Sequence, residues 1–339
     1  MALGRKRRVR PRFFLFTTVV AGLAVWALWP RPHTHTAAAP SPKAIAARPT
    51  LGVLQTTSRG RTISVLPEPI SGFSQGTQGA VLEIAGGTSR QGPSALSAAI
   101  TSQGLVQGPS GRFLPGGVIV FDQGQWIFAG GMNHNQAVNA SVSLSSGQAA
   151  PPILPEPLAY AGVAVLPATG ATFLVGGMTP QGASDTIWLL QDGSFRSWAH
   201  LPKPVAGAAS AAGGQLLVVA GGTMNSGQAN PSIWIFQART HRLLDTLTLP
   251  FGIEGASLLY WQGVFWLLGG QSGTRVLNTI WQIRGHRLYR ASSTLPEPLS
   301  HFGAAVMGHS VWIVGGEGVH GPTGRVQQLT LADMPASPR

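Results

Sequence analysis

The chain of 339 residues contains no cysteine. Disulfides, thiolate metal sites, a cysteine nucleophile and a lipid-modified cysteine anchor are therefore excluded. Charged residues are also scarce, at 10%, whereas hydrophobic residues reach 44%. That balance supports a large core and argues against a disordered chain. Acids are the scarcer sign, with 11 Asp and Glu against 23 Lys and Arg, and the formal net charge is +12. The excess is concentrated at one end. Arg5, Lys6, Arg7, Arg8, Arg10 and Arg12 fall in the first twelve positions with no acid among them. The rest form no basic stripe with interleaved aromatics, so nucleic-acid binding is not expected. There is no Gly-rich phosphate loop, no Gly-x-Ser-x-Gly elbow and no His-x-x-x-His pair.

The N-terminal end divides into three stretches. Residues 1–12 form a basic segment, and residues 13–29 (FFLFTTVVAGLAVWALW) carry no charge and place Trp26 and Trp29 at the far end. This order predicts a transmembrane signal anchor with its basic end in the cytoplasm and the remainder on the extracytoplasmic side of the cell membrane. Secretion after signal cleavage is the alternative, although cleavage after Ala37-Ala38-Ala39 leaves Pro40 at the new terminus. Residues 30–50 are rich in Pro, Ala and Thr and read as an extended linker. Its His33 and His35 read as tether rather than metal ligands.

What the rest of the chain has in quantity is glycine (45) and proline (26), arranged in a repeat. The stretch LPEPLSHFGAAVMGHSVWIVGGE, residues 295–317, is one copy of a unit written six times. Each copy closes a short apolar strand with a Gly-Gly pair, beginning at Gly86, Gly130, Gly176, Gly221, Gly269 and Gly315. The spacings of 44 to 48 residues indicate a repeat architecture. In the third copy the expected strands are Leu158–Leu166, Ala171–Val175, Thr186–Leu190 and Phe195–Trp198, with a turn at Gln191–Ser194. Four short antiparallel strands with two apolar faces must stack on neighbours. Six such sheets close radially into an all-β six-bladed propeller over residues 51–330, with 331–339 as a tail. The first two copies depart most from the pattern, at Ser71–Gly79 and Gly108-Pro109, and irregular blades are expected there. Thr62–Val65 is expected to pair antiparallel with Val326–Thr330 and close the ring, with Leu51–Gln55 outside it as a fifth strand.

The strings FLVGGMTPQGASDTIWLL, LLVVAGGTMNSGQANPSIWIF, FWLLGGQSGTRVLNTIWQI and VWIVGGEGVHGPTGRVQQL resemble the kelch repeat of β-propellers. The resemblance covers residues 51–330 and implies the fold more than an activity, since this fold hosts binding modules, scaffolds and unrelated enzymes. A copper site like that of galactose oxidase would need a cysteine for its crosslinked tyrosine, so that activity is excluded. Gln191–Trp198 resembles the Asp-box turn of sialidases, but its Asp–Gly spacing is one residue short and it reads as a hairpin.

Trp188, Trp234 and Trp281, and likewise Trp126, Trp266 and Trp312, recur at fixed offsets from the Gly pairs, as blade packing demands. Glu68, Glu156 and Glu297 recur in three LPEP steps, with Lys203 at the fourth, and read as structural. The loops after the Gly pairs are the least repeated and most polar parts, where function collects on a rigid scaffold. With the linkers entering on the same face, they supply the candidate ligand-binding residues His134, Asn135, Arg112, Glu254, His301, Glu317 and His320. No catalytic residue, metal or cofactor is assigned. The expected function is a membrane-anchored binding module for a protein or carbohydrate ligand. The alternative is a carbohydrate-acting enzyme resembling the sialic-acid mutarotases, and a periplasmic assembly factor is a third reading.

Overall fold

The structure is a computed structural model that describes residues 52–54 and 56–333. The chain divides into two units, Met1–Ala46 and Ala47–Arg339, and only the second contains described residues. The basic segment, the apolar run at 13–29, the linker and the tail beyond residue 333 lie outside them. Among the described residues there are strands, bridges and turns but no helix.

Blade IV shows how the sequence builds each sheet. Ala209–Gly213, Leu216–Ala220, Ser232–Gln237 and Arg242–Thr248 pair antiparallel in chain order, from the axis outward. Alternate residues of a strand face opposite sides. Leu217 and Val219 therefore enter the core shared with blade III, while Val218 and Ala220 enter the core shared with blade V. Both faces are buried, so no blade is stable alone. The other four-stranded units are blade I (74–107), II (118–150), III (162–200), V (257–294) and VI (303–333, completed by 56–65). Six hydrophobic clusters fill the six gaps, and each holds one of the six periodic tryptophans: Trp126, Trp188, Trp234, Trp266, Trp281 and Trp312.

The Gly-Gly pairs lock neighbouring blades together. In blade IV the Gly222 N–H donates to the Ile253 carbonyl at 2.9 Å. A Cβ on Gly221 would land on that same carbonyl oxygen, and both glycines have positive φ, at 69° and 86°. Only glycine lets the two backbones approach this closely.

Ring closure follows the expected pairing, with one correction. Thr56–Val65 pairs antiparallel with Arg325–Asp333 and forms the outer strand of blade VI. The preceding strand does not lie outside it. Gly52–Leu54 instead pairs parallel with the outer strand of blade V, Gly52 opposite Tyr289 and Leu54 opposite Ala291. The N-terminal strands thus span two blades and cover the outer edge of blade V. Blade II is irregular, with outer strands of only three and two residues. Blade I keeps four strands, its outermost shortened to Gly104–Gln107.

Candidate functional site

Each linker into an innermost strand passes one residue in the left-handed region before the strand begins. These six residues are Gly72, Gly116, Tyr160, Gly207, Gly255 and His301, with φ between 52° and 74°. They form a collar around the axis on the Gly-Gly face. Peptide groups link it from blade to blade: Tyr160 N–H to Gly116 O (2.5 Å), Gly207 N–H to Tyr160 O (2.6 Å), His301 N–H to Gly255 O (2.7 Å) and Gly72 N–H to His301 O (2.9 Å).

Four collar positions are glycine, as the backbone prefers. A side chain in this region costs about 1–2 kcal/mol relative to glycine, yet two positions carry large rings. Tyr160 and His301 are three blades apart in a ring of six, so they stand on opposite sides of the channel mouth. Each leans over the preceding collar glycine. A Cβ on Gly116 would meet the Tyr160 ring at 2.7 Å, and one on Gly255 would meet the His301 ring at 2.7 Å.

The residue before each collar position pairs with the loop after the Gly-Gly pair, as in Glu254 with Gln271 and Ser300 with Glu317. On the His301 side this second tier is polar and continuous. Thr223 Oγ1 donates to Glu254 Oε2 at 2.6 Å, and Gln271 Nε2 donates to Glu254 Oε1 at 2.9 Å. Ser300 Oγ donates to Gln271 Oε1 at 3.2 Å and lies 3.2 Å from His301 Nδ1. The chain runs from blade IV to blade VI. On the Tyr160 side the same tier is apolar, a cluster of Ala137, Ala159, Met178 and Ala206 with Met132 against it.

The walls around His301 desolvate its ring and lower its pKa from the usual 6.5, against the opposing pull of the Glu254 and Glu317 carboxylates. His301 as a whole residue is exposed at the collar. The imidazole is therefore neutral at neutral pH and accepts protons. Burial raises the pKa of the Tyr160 phenol, which stays protonated.

The sequence-derived residues fall into two groups. Glu254, His301 and Glu317 come together at the collar. His134 and Asn135 are the exposed turn of the hairpin between Met132–Asn133 and Gln136–Ala137, both with positive φ. His320 is exposed in the equivalent turn of blade VI, and its carbonyl accepts from Arg90 Nη2 at 3.2 Å. Arg112 Nη2 donates to Asn133 Oδ1 at 3.3 Å on blade II. These last four residues therefore sit on the hairpins and rim.

Tyr160, Thr223 and Ser300 were not singled out from sequence. The signal that would have found Tyr160 is the alignment of all six linkers, which sets it against four glycines.

Two of the three recurrent glutamates, Glu68 and Glu297, tie their linkers to the blade that follows. Glu68 accepts from Ser94 Oγ, and Glu297 accepts from Arg325 Nη1 (2.9 Å) and Gln327 Nε2 (2.8 Å). Ser94 precedes the third strand of blade I, and Arg325 and Gln327 lie in the third strand of blade VI. Among the described residues no group of three His, Asp or Glu is placed to hold a metal.

The solved structure of YjhT matches this chain with a TM-score of 0.66 at 13% identity, covering 80% of this chain and 100% of that one. The shared feature is the fold. The chain is a six-bladed β-propeller. No family model matches it, and no curated protein does. Two recesses of the propeller lie away from the collar, about 110 Å³ beside Tyr260 and about 340 Å³ beside Trp312. Neither is lined by an acid or a histidine.

Proposed function

We propose that the channel mouth binds a small polyhydroxylated ligand of the carbohydrate class, and that residues 13–29 tether the propeller on the extracytoplasmic side of the cell membrane. The observation that carries the ligand assignment is the chain Thr223–Glu254–Gln271–Ser300–His301 facing Tyr160 across the mouth. Half-buried Glu254 and exposed His301 present acceptors to adjacent hydroxyls, held from behind by the buried Thr223, Gln271 and Ser300, while the Tyr160 ring and Met132 offer an apolar surface to the C–H face of a sugar. A few convergent polar groups beside an apolar wall are what such sites require. Saturation-transfer NMR with a panel of neutral and acidic monosaccharides tests it. Transfer to at least one sugar is expected, weakened at least tenfold by Glu254→Gln. Absence of transfer from the whole panel refutes the assignment.

A neutral imidazole joined to a carboxylate chain and facing a protonated phenol favours a second reading, catalysis of anomer exchange. His301 would take the proton of the anomeric hydroxyl as the ring C–O bond breaks, and an acid across the mouth would protonate the ring oxygen. Reversal closes the ring on either face, with no net change in atoms or electrons. Faster exchange between the two anomers of a bound sugar, abolished by His301→Gly, is the result expected. Exchange at the buffer rate with binding intact leaves the propeller a binding module.

A further inference from the structure

The face opposite the collar has a different chemistry at blades IV and V. There the turns between third and outer strands lie side by side, held by His286 Nδ1 and Asp245 Oδ2 at 2.9 Å. Arg239 and Arg242 are exposed at one turn, Arg287 at the other, and Arg290 three residues further along the outer strand of blade V. Asp245, already engaged by His286, is the one acid within residues 238–245 and 284–290. Beside these arginines, Leu243 and Leu244 are 42% and 46% exposed. Leu244 is the extra residue of a bulge, since Leu243 pairs with Phe236 and Asp245 with Ile235. A bulge here bends the edge and turns a leucine outward.

We propose that this corner docks on an anionic lipid bilayer, its arginines at the headgroup phosphates and its two leucines in the interfacial layer. Arginine suits phosphate, and basic residues beside exposed aliphatic ones are the composition of interfacial contacts. A soluble polyanion would leave the leucines without a role. The course of the chain points the same way. The first described strand, Gly52–Leu54, begins at this corner, Gly52 opposite Tyr289 and Val53 opposite Arg290. The sequence before it holds the uncharged run 13–29. Docking in this orientation turns the collar away from the lipid. The inference does not depend on what the collar binds.

The absence of cysteine makes a clean reporter possible. A single Leu244→Cys in the full chain carries an environment-sensitive fluorophore, and Gln228→Cys, exposed on the Gly-Gly face of the same blade, serves as control. With phosphatidylglycerol-containing vesicles the label at 244 should brighten and shift to the blue. Phosphatidylcholine vesicles should not do this, nor should the label at 228 respond. Each arginine near an anionic surface is worth roughly fivefold in partition, about 1 kcal/mol. Arg239→Glu with Arg242→Glu and Arg287→Glu should therefore weaken the response roughly a hundredfold or more, and added salt should weaken it in the unaltered chain. Equal responses in the two vesicle types, an equal response at position 228, or the same response to a lipid-free polyanion such as heparin would each overturn the proposal.

Discussion

Single residues show where the propeller departs from its own repeat. Glu83 lies 5% exposed in the second strand of blade I, where the other blades place Ile127, Phe173, Val218, Trp266 and Trp312. Desolvation raises its pKa from 4.5 to about 7. Below 4.5 the carboxyl is protonated in both folded and unfolded chains. Between 4.5 and about 7 the unfolded chain loses its proton while the folded one keeps it, so stability falls as pH rises through that window and levels off above it. The full loss is at most roughly 3 kcal/mol. Glu83→Gln should abolish it, raising the melting temperature above neutrality and leaving it nearly unchanged in acid. Thermal melts of both proteins across pH decide this, and an identical pH slope in the variant would contradict the assignment. The collar histidine titrates with the opposite consequence. Its lowered pKa keeps the ring neutral, so ligand binding that needs the free imidazole should persist below pH 6.5 and fade as the ring protonates.

At the scale of elements, the sequence was most legible where a strand alternates between two cores. Ala171–Val175 has the expected bounds, and Thr186–Gln191 extends its expectation by one residue. The first strand of blade III was expected from Leu158 but begins at Gly162. Leu158 and Ala159 are buried like strand residues because Leu158 packs against the Gly-Gly pair of the preceding blade and Ala159 pairs with Met178 after the Gly-Gly pair of its own. Tyr160, at φ 53°, breaks the extended run. The collar was hidden for the same reason, since backbone conformation repeats there while residue type does not. Glu254, His301 and Glu317 were visible as polar residues on one face, but the relay through Gln271 and Ser300 depends on side-chain geometry. The Gly-Gly pairs make a sharper prediction. Gly221→Ala would set a methyl on the Ile253 carbonyl at positive φ and should cost several kcal/mol. Ala at Gly227, where a Cβ has open space, should carry only the φ penalty of about 1–2 kcal/mol. Chemical denaturation compares the two, and equal losses would show that interblade contact is not what the pair serves.

At the scale of the molecule, the ring is held by an outer strand from the other end of the chain. Ending the chain after Gly324 removes the third strand of blade VI and the partner of Thr56–Val65. Insolubility or loss of the cooperative melt is expected, and a truncated protein as stable as the full chain would contradict closure by this pairing. The same closure fixes six linkers in a circle, and the circle sets Tyr160 opposite His301. The central claim is that these two side chains are kept for a ligand at the expense of backbone comfort. Replacing each by glycine, the residue at the other four collar positions, tests it most directly. Calorimetric titration of Tyr160→Gly and His301→Gly with a sugar that binds the unaltered chain should show affinity at least tenfold weaker for each, with the melting temperature unchanged or raised. Affinity retained in both variants, or a melting temperature lowered as far as by a core Trp→Ala change, would contradict it.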